Sequence, residues 1–363
     1  MTILRYTASA DNSITNTFLS HTENTLRATG SNVGAADILD IYSIYGRRSS
    51  SAGFSSELAR VLIQFPVDTI SADRTSGKMP ASGSVVFKLK LYNARHPFST
   101  PSGYKIDVLA LSREWTEGIG VDMASYKDTT DDVIGSNWIK ASSSVSWTTI
   151  GGDFHASPKF TQTFTVGNED LSIDVSELVE QWIDSTKTNY GFMLKFTNLD
   201  EAYFSSSTGA NSGNIIHNTD GIKGSRYIKK FFSRSTEFFF KKPVLEATFD
   251  NRQKDDRGNF YLSSSLLSGE QNLNRLYFYN YYGDKLADIA SNAALVPTAS
   301  FYYSSASVPE GSVRTFRNSA DTEITVLKST REKAGVYYVD VAADKSIVTS
   351  TYPYLVDVWK IGS

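Results

Sequence analysis

A chain of 363 residues with 36 Lys and Arg against 39 Asp and Glu has a formal net charge of −3, so no global field recruits nucleic acid or an anionic membrane. It contains no cysteine, which excludes disulfide staples, thiol nucleophiles and Cys-ligated metals and leaves stability to packing. The length exceeds one ordinary β-sandwich and suits two domains, and 20 Tyr and 21 Phe among abundant Ser and Thr favour sheets over helical bundles.

In chain order, residues 3–6 and 14–19 read as short strands around the turn-prone Asp11-Asn12, and Asn32-Val33-Gly34 is a further turn before a mixed stretch, 38–45. The run 59–67 is densely apolar and should stop, or move to an edge, at Pro66. Phe87, Leu89 and Leu91 alternate with Lys88 and Lys90, the period of a strand with one covered face, and residues 104–111 repeat the pattern. Trp115-Thr116-Glu117-Gly118 then opens a long Ser-, Thr- and Asp-rich loop that reaches Trp138 and Trp147, and a connection of that length hosts a site or packs as an ornament. Residues 160–166 return to β alternation.

The stretch 171–206 organises the first half. Leu171, Ile173 and Val175 alternate, Asp174 with Glu177 resembles a capping box, and Leu178 and Trp182 stand one helical turn apart. A short helix with Trp182 as its plug is expected, followed by the Asn189-Tyr190-Gly191 turn, a strand over 192–196 and a short one over 202–206. After an excursion over 207–242, residues 244–249 close the sheet. The polar run 251–259 reads as a linker between domains 1–250 and 260–363. Beyond it, aromatic residues 275–282 and further short strands near 285–289, 300–304, 313–316, 323–327, 335–341 and 356–359 have the spacing of a small immunoglobulin-like β-sandwich. At a sheet edge, residues 275–282 would suit strand addition by a neighbour.

Candidate chemistry is sparse. Glu114 and Glu117 flank Trp115, but residues three apart on an extended chain point to opposite faces, so acid–base work on a glycoside would need a turn to bring them together. Asp128, Asp131 and Asp132 lack the Gly and terminal Glu of an EF-hand loop and read as a solvated acidic loop. The four His are scattered outside any metal-ligand spacing, and no nucleophile elbow, P-loop or dinucleotide-binding pattern occurs. No enzymatic activity, metal or cofactor is therefore expected.

The most unusual local feature threads Lys and Arg through aromatics over 223–242. Arg226, Tyr227, Lys229, Lys230, Phe231, Phe232 and Arg234 are its candidate interface residues, and Phe238, Phe239 and Phe240 follow. Two readings stay open: a hairpin with Phe inward and Lys outward, and a protein interface. Binding of single-stranded nucleic acid ranks below both. Among aromatics that could stack on a sugar (Tyr92, Tyr104, Tyr126, Trp138, Trp147), most read as core and Trp138 is the candidate glycan contact.

Taken together, Asp11 with Ile14, Asn32-Val33-Gly34, residues 60–65 and 86–92, Trp115 to Gly118 and Val145-Ser146-Trp147 stand in order before Asp174-Val175-Ser176 with Val179 and Trp182, Asn189 to Phe192, and Pro243-Val244-Leu245. In that order they make residues 2–250 resemble the DNRLRE-type module, a jelly-roll sandwich related to carbohydrate-binding modules. The chain departs from that pattern in its long 115–147 loop, in the 207–242 excursion, and in lacking the family's acid after its Phe-x-Ser strand, since Phe204 is followed by Ser205-Ser206-Ser207. As a whole it looks like a structural protein of a tailed phage. That likeness implies a non-enzymatic virion component (a capsid decoration, neck-collar or tail protein), a homo-oligomer whose partners are other virion proteins. The alternative is a carbohydrate-binding module that attaches to host or surface glycans. The first residues lack the features of a signal peptide and no apolar run approaches the ~18 residues of a membrane span, so synthesis in a host cytoplasm, without a signal peptide or a membrane partner, is expected.

Overall fold

The structure, a computed structural model, describes residues 2–18, 27–47, 53–96, 101–121, 135–205, 214–250, 255–283, 285–289, 295–306, 308–347 and 351–361, with Tyr227 described by its backbone alone. It is mostly β, with several antiparallel sheets and two α-helices. The chain divides into two compact units, Met1–Asn251 and Arg252–Ser363.

The first unit contains β1 (Thr2–Thr7), β2 (Ala10–Thr15), β3 (Ile38–Gly46), β4 (Ser55–Gln64), α1 (Val67–Thr75), β5 (Val85–Leu91) and β6 (Tyr104–Leu111). These are followed by β7 (Phe154–Phe164), β8 (Leu171–Asp174), α2 (Ser176–Ile183), β9 (Phe192–Phe196), β10 (Arg226–Phe232) and β11 (Val244–Phe249). One sheet has the order β1-β11-β5-β8. The larger runs β10-β3-β4-β9-β6-β7, with β2 also paired to β4.

The two sheets pack face to face because their alternating residues agree. Phe87, Leu89 and Leu91 of β5, Leu245 and Ala247 of β11, and Val61, Ile63, Ile106, Val108 and Leu194 of the larger sheet form one core. Helix α2 closes its end. Asp174 Oδ1 accepts from Ser176 N at 2.9 Å, so the cap is made two residues along rather than by a reciprocal box with Glu177. Leu178, Val179 and Trp182 face inward, and the Trp182 ring meets Phe192 edge-on at 4.6 Å. The apolar run ends where Pro66 removes a donor. There the chain turns into α1, a helix the sequence pattern does not signal, and Arg74 pins it to α2 through a paired contact with Glu180 at 2.6 and 2.7 Å.

Strand β4 is buried on both faces, and the long loop is the reason. Leu58 and Leu62 point away from the main core into a second one, which Trp115, Trp138 and Trp147 complete by folding over the sheet. The loop is thus a lid whose three indoles replace a third layer. Its closing contacts are polar. Asn32 Nδ2 donates to Glu117 O and Ser136 O, and Asn12 Nδ2 donates to Ser136 O. A Cβ at Gly34 would lie 2.2 Å from Glu117 O, which explains why glycine follows Asn32-Val33.

The second unit contains β12 (Asn274–Tyr279), β13 (Tyr281–Tyr282), β14 (Lys285–Leu286), β15 (Thr298–Ser304), β16 (Phe316–Arg317) and β17 (Glu323–Ile324). It ends with β18 (Leu327–Lys328), β19 (Thr330–Lys333), β20 (Val336–Val341) and β21 (Tyr354–Lys360). Two three-stranded sheets, β12-β20-β19 and β18-β15-β21, enclose a core of Leu276, Val339 and Val341 against Ala299, Phe301 and Phe316. Residues 255–259, read from sequence as the end of the linker, form a turn belonging to this unit: Arg257 reaches Asp357 at 2.6 Å and the Tyr277 carbonyl at 2.8 Å.

Candidate interaction surface

Strand β10 lies at the end of the larger sheet, paired with β3 through a register irregularity between Arg226 and Lys229. Its outer edge is covered. Phe232 N donates to Tyr92 O at 3.0 Å and Ala94 N to Lys230 O at 2.9 Å, so the strand offers no free ladder to a partner.

Period-2 geometry sends Phe231 and Lys229 to the same side, and that side is the interior. Both are fully buried. Lys229 Nζ donates to Asn93 Oδ1 at 2.6 Å, Gly167 O at 3.0 Å and Glu169 O at 2.7 Å, and it lies 4.9 Å from the Phe164 and Phe231 ring centroids. Three oxygens thus satisfy the three ammonium donors in place of water. Burial nonetheless pulls the Lys229 pKa down to about 8, against the favourable charges of Glu169 and Asp170.

The remaining candidates on the strand are engaged as well. Arg226 reaches Asp200 at 3.6 Å and Lys230 reaches Asp40 at 3.8 Å. Arg234 grips Glu117 with Nε and Nη2 while its backbone N–H donates to Asp11 Oδ2 at 2.6 Å. Glu117 also accepts from Asp11 N at 2.8 Å, so it is committed to this clasp and is not turned toward Glu114 as an acid–base pair. Burial, and then the Glu117 charge, push the Asp11 carboxyl up to about 7, against the Arg234 backbone hydrogen bond and the charges of Arg234 and Lys242. The side chain of Tyr227 lies outside the described residues.

The expectation of an interface over 226–234 is therefore corrected for Lys229 and Phe231, which are core, and the exposed surface lies a few residues later. A turn built by Ser233 Oγ donating to Ala36 O and by Lys241 N donating to Phe238 O carries the chain out of the sheet. There Phe238, Phe239 and Phe240 are 51%, 71% and 84% exposed. Phe238 rests edge-on against Phe232 at 5.5 Å, Phe239 and Phe240 meet at 5.3 Å, and Lys241 Nζ stands 5.0 Å over the Phe232 ring. The sequence carries a signal for this: three consecutive Phe cannot share one face of a strand, so at least one must leave the core.

Trp138 is also corrected. Its ring is fully buried in the lid, Nε1 donates to Asn214 O at 3.0 Å, and the Arg60 guanidinium lies 5.5 Å from the ring centroid. No face is left for a sugar. Arg60 itself pairs with Glu201 at 3.0 and 3.1 Å, a buried charge pair beneath the lid. Asp128, Asp131 and Asp132 lie outside the described residues. Among the described residues no three His, Asp or Glu gather as a metal site, and no helix is long and apolar enough to cross a membrane. No family model matches the chain, and no curated protein matches it in sequence.

Proposed function

We propose that the chain is a non-enzymatic structural component of a phage particle, a decoration, neck-collar or tail protein, that assembles through protein–protein contacts. In this reading the first unit is a jelly roll of the DNRLRE type and the second an immunoglobulin-like sandwich. The observation that carries it is the turn 238–242. Three adjacent exposed Phe, with Lys241 beside them, stand on a turn tied back by the Arg234 clasp. Interface cores are enriched in aromatics, and a rigid aromatic anchor loses little conformational entropy on docking. The lysines favour an acidic rim around an apolar hollow on the partner.

The test is cosedimentation of the purified chain with separated heads, necks and tails of the parent particle, beside F239S/F240S. Binding to one of these parts, lost in the double variant, is the expected result. A protein that binds none of them and instead turns over a polysaccharide would sink the reading.

A further inference from the structure

Among the edge strands of the second unit's two three-stranded sheets, β12 and β21 are treated differently. On β12 the outward backbone groups are capped: Arg275 N donates to Asp256 Oδ2 at 2.7 Å, Tyr277 N to Asp255 Oδ2 at 3.2 Å, and the Tyr277 carbonyl accepts from Arg257 Nη2 at 2.8 Å. The Asp255–Arg257 turn thus stands where a neighbouring strand would lie, which removes the aromatic strand that sequence reading offered for strand addition.

On β21 no such cap exists among the described residues. The direction of its free groups follows from β15. The Phe301 and Tyr303 carbonyls accept from Arg314 N and Glu310 N on the far side, so Ser300 and Tyr302 are the residues bonded to β21. Their partners are Val358 and Val356. The N–H and C=O groups of Leu355, Asp357 and Trp359 therefore point outward along an edge with no strand of the described residues beside it.

We infer that β21 pairs with β21 of a second copy of this chain, antiparallel about a two-fold axis at Asp357, joining the two β18-β15-β21 sheets into one. The strand is self-complementary in that register. Leu355 stands opposite Trp359 of the other copy, Val356 opposite Val358, and Tyr354 opposite Lys360, so apolar meets apolar and ring meets ammonium. Asp357 meets its own equivalent, and each of these carboxylates is already paired with its own Arg257. The inward faces of Leu355 and Trp359 stay on their own core, where Trp359 stacks on Phe278 at 5.3 Å, so pairing adds a ladder without opening the sandwich. This goes beyond the phage reading and uses a surface in the other unit, so F239S/F240S leaves the pairing unchanged.

The test is the mass of the full chain by light scattering across a concentration series, with hydrogen exchange at Leu355 and Trp359. A dimer that forms with concentration, with protection of those two amides rising in step, is expected. V356E/V358E and V356K/V358K each place like charges opposite one another and should be monomeric, while their equimolar mixture should recover the dimer. That recovery also shows that both variants are folded. A chain monomeric at every concentration, or an oligomer that both charged variants leave intact, would overturn the inference. Protection of the two amides only on adding other particle proteins would overturn it too, since it would mean a donated strand.

Discussion

The two halves of the basic-aromatic segment have nearly the same composition and opposite fates. Over 226–232, Lys229 and Phe231 are sealed inside the first unit. Over 238–242, three Phe stand in solvent with a lysine beside them. Local hydrophobicity does not separate them; the supply of partners does. Strand β10 passes oxygens that can take all three Lys229 donors, and rings that tolerate a cation beside them. The later turn has left the sheet: Phe238 alone of its three leans on a ring of β10, while Phe239 and Phe240 have each other.

The sharpest way to break this contrast is to remove the buried cation. Lys229→Ala leaves the Asn93, Gly167 and Glu169 oxygens without a donor and opens a cavity, so it should cost about 3–5 kcal/mol in urea unfolding. Lys229→Met restores volume but no donor and should cost nearly as much. A Met variant as stable as the parent would mean that the three oxygens are rehydrated and that the lysine is incidental.

The clasp that anchors the turn should give a distinctive pH profile. The Asp11 carboxyl is raised in the fold from 3.8 to about 7, so the folded state holds a proton that the unfolded chain has released between those values. Its contribution is complete below the unfolded pKa and is lost as pH rises through about 7, roughly 2–4 kcal/mol in all. Lys229 is lowered from 10.5 to about 8, so its contribution is complete above the unfolded pKa and is lost as pH falls through about 8. Together they predict a stability minimum near neutrality, read from thermal midpoints across pH. Asp11→Asn should flatten the acidic limb and leave the alkaline one. A profile in which Asp11→Asn leaves the fall toward neutrality intact would show that the Asp11 carboxyl is not its source. Arg234→Ala, at a partly exposed pair, should cost less, about 1–2 kcal/mol, while leaving Phe231 buried.

Much of the frame was legible because it rests on period. Phe87, Leu89 and Leu91, the 192–196 strand, and Trp182 at a helical interval from Leu178 all carry their burial in their spacing. The lid was not legible, because its Ser136 and Glu117 carbonyls are held by Asn12 and Asn32, and the Trp115 and Trp138 indoles donate to Tyr190 and Asn214, all far away in sequence. A Trp among polar neighbours looks exposed until those partners are known, and that is why Trp138 read as a sugar platform. Lys229 misled in the same way: its charge argues for solvent, and only Gly167, Glu169 and Asn93, all remote, argue otherwise. Helix α1 was hidden because only Val67 and Ile70 of it are buried, too few to make a stripe.

The smallest expected effect on stability belongs to the residues with the largest expected effect on function. Phe239 and Phe240 contact mainly each other and solvent, so F239S/F240S should move the unfolding free energy by no more than ~0.5 kcal/mol. Serine there removes two exposed rings and should raise solubility. If the turn is a docking anchor, the same change removes binding to the particle while the far-ultraviolet spectrum and melting temperature stay put. A loss of stability beyond 1–2 kcal/mol would instead mean that the rings pack on the protein in solution, and the contrast between the two halves of the segment would fall with it.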